Sequence, residues 1–439
     1  MGPPCQVKGD WCSAEIPVRS LGDIIRHRPN PGIELLRMHD LAVKEGPTGA
    51  AVRSNAERLH WAWLSVALLF ALCRLVAFLP PKVNNFASSH YLFSYVAGFH
   101  KRALIGWLLS LYFERLSATA IYAISLGTLA MLVVALLLLL RRVLFASSTM
   151  LILGVVLLGA PGVLPHFAYS IGYFDPLLVI CAVLALGVLA SPLPDWLKVP
   201  IAFLPCAFGV LTHESFALAA FPLVAAGSLI ARTAPRKLIW SLTIAVFALT
   251  VAVQVVGHPA IALEEYMQWA TARTNMQINA DAFELLYFQP RENLYYLLRH
   301  YSTGTTDVRL LTGLIVPIPY FFMLRDLYIR AADASATTAG TRLAVCVCIF
   351  APVVLALVGF DLVRWVSFVC LNCSILICEY VRRDTSGAAA EAVTRYVRSP
   401  RFVLLALFSF TLGALHVVDS NSLGSGFHDM ARGLGLIRW

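Results

Sequence analysis

The sequence predicts an all-α, polytopic membrane protein with about 11 transmembrane helices, a re-entrant helix and a helical loop on the outer side. Three observations predict it. Of 439 residues, 59% are hydrophobic and 13% charged, against about 25% charged in an ordinary soluble domain, and the mean hydropathy is +0.74. Apolar runs recur at close to the ~20 residues that a span needs. Lys and Arg gather in alternate loops between those runs, as topology signals do.

The tail over 1–60 has no sustained apolar periodicity. Its Pro29-Asn30-Pro31-Gly32 and Gly46-Pro47 steps favour a loosely ordered cytoplasmic segment. No cleavable signal precedes the first apolar run near Trp61, so that run is expected to act as an uncleaved anchor. Candidate spans follow at 61–79, 118–140, 148–165, 174–191, 199–211, 216–231, 238–256, 309–324, 343–359, 362–380 and 402–418. Ala103 to Phe113, apolar between charged ends, is too short to span and reads as re-entrant or interfacial.

With the N-terminus inside, the inner loops hold Arg141-Arg142, Lys198, Arg232 with Arg236-Lys237, Arg325 with Arg330 and Arg342, and Arg382-Arg383 with Arg395, Arg398 and Arg401. The outer side receives the segment after the first span, a long loop over 257–308 and the C-terminal tail over 419–439. The net charge of +9 is spread through these loops and forms no aromatic-interleaved basic patch. It speaks for membrane orientation and against nucleic acid as a partner. Eight of the ten cysteines lie in apolar runs and read as small hydrophobes. Cys370 and Cys373 have zinc-ligand spacing but no second pair.

The charged residues left inside apolar sequence fall at the outer ends of the runs. Gly98-Phe-His-Lys101-Arg102 places two cations side by side, which suits a phosphate or an interfacial anchor. Pro165-His166 leads to Tyr173-Phe-Asp175-Pro176, where Asp then Pro signals a helix start and Asp175 either caps it or works at its mouth. Thr212-His213-Glu214-Ser215 offers a base beside its orienting partner, or an acid in a first helical turn. In Gly359-Phe-Asp361-Leu-Val-Arg364-Trp365, Asp361 and Arg364 stand at i and i+3, able to pair or to hold a phosphate. Acids at the starts of inward-running helices would give an anion-binding mouth if they converge. The carboxylates Asp175, Glu214 and Asp361 could also hold a divalent cation, although no ligand spacing demands one. The loop over 257–308 alternates apolar and charged residues and reads as amphipathic helices that cap the site or anchor at the membrane surface.

These segments, with the many-span architecture, the short helix after the first outer segment and the long outer loop, resemble bacterial GT-C-type membrane glycosyltransferases and the related O-antigen polymerases and ligases. The resemblance spans about residues 60–420 and is carried by no single diagnostic motif. It implies an inner-membrane enzyme with a periplasmic site, taking a sugar from a polyprenyl-phosphate-linked donor to a glycan, lipid or secreted-protein acceptor. On that reading 61–418 is the transferase domain, Asp175 or the His213–Glu214 pair deprotonates the acceptor, and Lys101, Arg102, His166, Asp361 and Arg364 bind the donor. One departure stands out. GT-C enzymes usually carry an acid in the first outer loop, and 80–102 contains none. A transporter or flippase for a lipid-linked or anionic solute is the rival from another class, and a non-enzymatic assembly partner is a third reading. The clustering of polar residues at one face and the lack of an internal repeat weigh against transport.

Overall fold

The computed structural model describes residues 79–80, 82–160, 162–232, 234–288, 292, 318–335, 337–357 and 362–412. The tails, the expected first span and Asp361 lie outside them. Among the described residues the structure is helical, with no strand and two isolated bridge contacts, Leu116 to Thr274 and Ile171 to Tyr173.

Six stretches are long and apolar enough to cross a bilayer: Ala118–Leu144, Ser148–Tyr169, Asp195–Thr212, Arg236–Val256, Ala339–Leu357 and Leu362–Arg383. Each falls on an expected run. Three more runs form shorter apolar helices, Asp175–Ala190, Phe216–Ala231 and Pro400–Phe410. The longest of these has 16 residues, which gives about 24 Å of helix against the ~30 Å of a hydrocarbon core. The run expected at 309–324 is described from Ile318 and continues to Ala334, gathering Arg325, Asp326, Arg330 and Asp333 on the way. Among the described residues, length and composition therefore support six crossings; the expected run at 61–78 and the first half of that at 309–324 lie outside them.

Local chemistry explains the ends. Ser117 and Ser147 accept hydrogen bonds from the N–H groups of Ala120 and Met150, capping the helices that follow. Arg141-Arg142 and Arg382-Arg383 close two helices where the dipole favours cations. The run over 216–231 breaks in two at Ala220, because Pro222 in the first turn of Phe221–Ala231 lacks the N–H that would join the pieces.

Leu362–Arg383 is the central helix, 89% buried along its apolar window, and packs against the helices starting at Ala118, Phe221 and Ile318. Peripheral helices do the opposite. On Arg236–Val256 the side chains of Trp240, Ile244, Phe247, Val251 and Val255 form an exposed apolar stripe at helical spacing. A stripe of that kind in water would be a large exposed patch; against lipid tails it carries no such cost.

The described part of the expected outer loop, up to Phe288, forms two short helices, Leu263–Ala272 and Ala280–Tyr287. They share a second core with the segment after the first expected span, through Tyr91, Phe93, Phe174, Tyr266, Phe283 and Leu286. Backbone bonds stitch the two together: Ala260 N–H donates to Ala97 O at 2.7 Å and Lys101 N–H to Gly257 O at 3.3 Å. The stretch expected to be re-entrant contains one short helix, Leu104–Ser110. Gly106 seats it, since a Cβ there would lie 2.1 Å from the Phe93 carbonyl oxygen.

Candidate functional site

Helix direction gathers the site. Arg364 opens the central helix and Arg382-Arg383 close it. Asp175–Ala190 runs away from the same end, and Asp195–Thr212 packs against it and returns to His213 and Glu214. Arg236–Val256 comes back to Gly257, which touches Lys101. The basic pairs thus sit at the helix ends remote from Arg102, Asp175, Glu214 and Arg364.

Two forks between arginine and carboxylate form there. Arg102 Nε donates to Glu214 Oε2 at 3.0 Å and to Oε1 at 3.1 Å, and its second nitrogen also bonds Oε1. Arg102 is held at φ 66°, in the left-handed region that a bulky residue enters only under constraint. Arg364 Nε donates to Asp175 Oδ2 at 2.6 Å, and its terminal nitrogen bonds Oδ1. The Arg364 guanidinium stacks 4.8 Å from the centre of the Tyr173 ring and 4.9 Å from Trp365. One expectation shifts here, the cap position of Asp175. Asp175 is the first helical residue, with Phe174 in the cap position, and its carboxylate meets the Arg364 guanidinium. Arg364 takes a carboxylate partner from a different helix, while Asp361, the helix-face neighbour suggested by spacing, lies outside the described residues.

His213 lies between the forks. Ser215 N–H donates to its Nδ1 at 3.2 Å, with Ser215 Oγ at 2.9 Å and Glu214 Oε2 at 3.5 Å. An Nδ1 that accepts from an amide leaves the ring proton on Nε2. Burial, then the Arg102 charge, holds the His213 pKa well below the ordinary range. Burial alone would raise Glu214, but Arg102, His213 and Lys101 outweigh it and hold the carboxyl well below the usual carboxylate range. Glu214 is therefore ionised and His213 neutral.

Lys101 is 2% exposed, and its Nζ donates to the Phe288 carbonyl at 3.2 Å, at the C-terminal end of Ala280–Tyr287. Burial pushes its pKa down to about 8, with Glu214 acting in the opposite sense. His100 between Gly98 and Lys101 is a scaffold residue: its nitrogens bond Lys101 O at 2.9 Å, Ser94 O at 3.0 Å and Tyr266 Oη at 2.9 Å. His166 is buried on Leu164–Tyr169 with Nε2 3.3 Å from Ser170 Oγ, supporting the loop into Asp175.

His90 is the residue that sequence reasoning passed over. It is 2% exposed, and its Nε2 has no hydrogen-bond partner. Rings of Phe86 and Phe93 lie 5.0 and 5.1 Å away, with Tyr173 and Phe174 at 6.3 Å. Burial first, then the charges of Arg102 and Arg364, hold its pKa well below the ordinary range. Both guanidinium groups act on this one imidazole, and both act on His213. The two forks and the two histidines are one electrostatic cluster.

Three cations, Lys101, Arg102 and Arg364, face two carboxylates, Asp175 and Glu214. Each fork uses the Nε and one terminal nitrogen of its guanidinium, and guanidinium N–H groups suit the oxygens of a phosphate. Among the described residues no group of three His, Cys, Asp or Glu side chains is placed to hold a metal ion. Compared with protein-family models, curated proteins and solved structures, the chain matches none.

Proposed function

We propose that this protein is a membrane glycosyltransferase that moves a sugar from a polyprenyl-phosphate-linked donor to a glycan, lipid or secreted-protein acceptor. The observation that carries the reading is the pair of arginine–carboxylate forks, Arg102–Glu214 and Arg364–Asp175, set around two neutral buried histidines. A carboxylate gripping one edge of a guanidinium fixes the other edge in place, so little reorganisation is needed when phosphate oxygens arrive.

In the proposed reaction the acceptor oxygen forms a bond to the anomeric carbon. The bond from that carbon to the phosphate oxygen breaks, and its electron pair leaves with the phosphate. Arg364 and Arg102, with Lys101 behind them, stabilise the charge on the departing group. The acceptor proton goes to a nearby base. Asp175 and Glu214 are each held in a fork by an arginine. His213 Nδ1 is filled and its Nε2 carries the ring proton, so it donates. His90, neutral and with an unpartnered Nε2, is the group we assign to take that proton, at a cost set by the burial and the Arg102 and Arg364 charges that lower its own pKa. The helices Leu263–Ala272 and Ala280–Tyr287 close over the Lys101 side of the cluster and exclude water.

The three shorter helices, tilted or set in a locally thinned bilayer, together with the runs at 61–79 and 309–324, would complete eleven crossings. The basic helix ends would then face the cytoplasm and the cluster the periplasm of a bacterial inner membrane.

A specific feature favours a second reading. The chain between Asp195–Thr212 and Phe221–Ala231 is broken at residues 213–215 and again at Ala220, and broken helices line transport sites. Purified protein in detergent, given a polyprenyl-phosphate sugar and an acceptor extract, separates the two. Release of polyprenyl phosphate that disappears in Arg364→Gln supports transfer. Movement of intact donor across sealed vesicles, without bond cleavage, would instead assign the cluster to a flippase.

A further inference from the structure

The opposite end of the bundle carries a second charge feature that the proposed transfer does not use. Arg383 closes the central helix that Arg364 opens, and the 19 positions between them put its end about 28 Å from the transfer cluster. There Arg142, Arg382 and Arg383 line a half-open cavity of about 230 Å³ whose remaining wall is apolar, with Val143, Met150 and Val381 among it.

The charges in this cavity do not cancel. Glu379 is the carboxylate that meets the arginines, and it is fully buried. Its Oε2 accepts from Arg382 at 3.1 and 2.6 Å, while Arg383 Nε stands 3.8 Å away, too far for a hydrogen bond. That Nε is buried with no partner, and Arg142 has no ion-pair partner among the described residues. Asp384, next in the chain, is turned away: its carboxylate accepts from Ser386 and from the N–H of Ala389, capping Ala388–Val397. Arg398, bonded to Thr149 beside Met150, adds a further cation on the same side. Three guanidinium groups thus line a cavity beside one carboxylate, which meets Arg382 and stands near Arg383 but does not pair with Arg142. Helix C-termini and snorkelling account for cations at a membrane surface, but not for a buried donor left unmade, which costs more than an exposed one.

We propose that this cavity binds the phosphate group of a lipid in the leaflet opposite the transfer cluster. Guanidinium donors suit phosphate oxygens, and a phosphomonoester dianion matches the excess of two cations over the single carboxylate. The apolar half of the wall distinguishes a lipid from a free phosphate compound, because only the lipid brings hydrocarbon to cover it. This inference is independent of the transferase reading.

The test uses the full-length protein in zwitterionic nanodiscs. The probes are dihexanoyl phosphatidic acid, dihexanoyl phosphatidylcholine and inorganic phosphate, and binding is followed by native mass spectrometry. Phosphatidic acid is expected to bind, phosphatidylcholine not, and Arg142→Gln with Arg383→Gln to weaken binding about tenfold or more. Arg395→Gln, which breaks an exposed pair with Glu391, is expected to change nothing. If inorganic phosphate binds as tightly as the lipid, the lipid assignment is overturned. If phosphatidic acid binds no better than phosphatidylcholine, the site itself is overturned. Should the variants misfold, the wild-type protein still answers: phosphatidic acid must slow the reaction of Arg142 and Arg383 with phenylglyoxal, and equal reaction with and without it refutes the proposal.

Discussion

Arg364 grips both carboxylate oxygens of Asp175 across 189 positions of sequence, at a site where Asp175 has no solvent exposure. Breaking one partner of such a pair strands a buried charge, which costs about 3–5 kcal/mol. Asp175→Asn and Arg364→Gln should each lower the thermal unfolding midpoint in detergent sharply. The double replacement should recover much of the loss, because no unpaired charge remains. A double variant no more stable than the worse single one would remove the fork from the account of the fold.

Arg102 asks a different question, since its fork with Glu214 is more open and its backbone is held at φ 66°. Arg102→Lys keeps the charge but loses the planar double contact and the second edge for phosphate. Donor cleavage should fall about 100-fold, the size of effect seen when one preorganised donor is removed. Folding, followed by size exclusion, should survive. Unaltered cleavage by Arg102→Lys would show that a point charge suffices and that the geometry of the fork is incidental.

The orphan imidazole of His90 separates stability from activity. An unpartnered buried nitrogen costs about 1–3 kcal/mol, and its neighbours are aromatic rings. His90→Phe fills the same space without that nitrogen, so it should leave the protein as stable as before or more so. Turnover should nonetheless drop by about 10²–10⁴, the range for a lost general base. The pH dependence has a definite sign. His90 and His213 have folded pKa values depressed below their unfolded ones. Their contribution to stability is full above the unfolded pKa and lost as pH falls through the folded value. Acidification should destabilise wild type more than His90→Phe, and equal acid sensitivity of the two would argue against a buried neutral His90.

Apolar runs were legible because composition alone fixes them, and six of them meet the length for crossing in the structure. Which runs form a single long helix was not, because hydropathy merges a helix with apolar residues in its flanking turns. The run at 216–231, broken at Ala220, shows how. Lys101, Arg102, Asp175, His213, Glu214 and Arg364 stood out as charges in greasy sequence, and the fold brings them to one end of the bundle. Their partners were hidden. Spacing offered Asp361, which lies outside the described residues, for Arg364; helix packing also supplies Asp175, and no local pattern carries that information. His90 was hidden for a related reason: a single histidine in an irregular segment carries no periodicity, and its meaning depends on two arginines that arrive from elsewhere.

Lys101 gives the last test, because its pKa is pushed down to about 8 by burial. Its charge should fade as pH rises through about 8, while both arginines stay protonated. If it helps to hold the donor phosphate, the apparent affinity for the lipid-linked sugar should weaken above that pH and the maximal rate should change less. Stability should move the other way. The unfolded chain binds the lysine proton up to about 10.4 and the folded chain only to about 8, so stability rises with pH between these values. Opposite trends in affinity and stability over one pH window are hard to produce by general alkaline damage, which weakens both. Lys101→Arg keeps its charge throughout this window and should flatten the affinity profile. A variant profile that still declines at the wild-type midpoint would place the titrating group elsewhere.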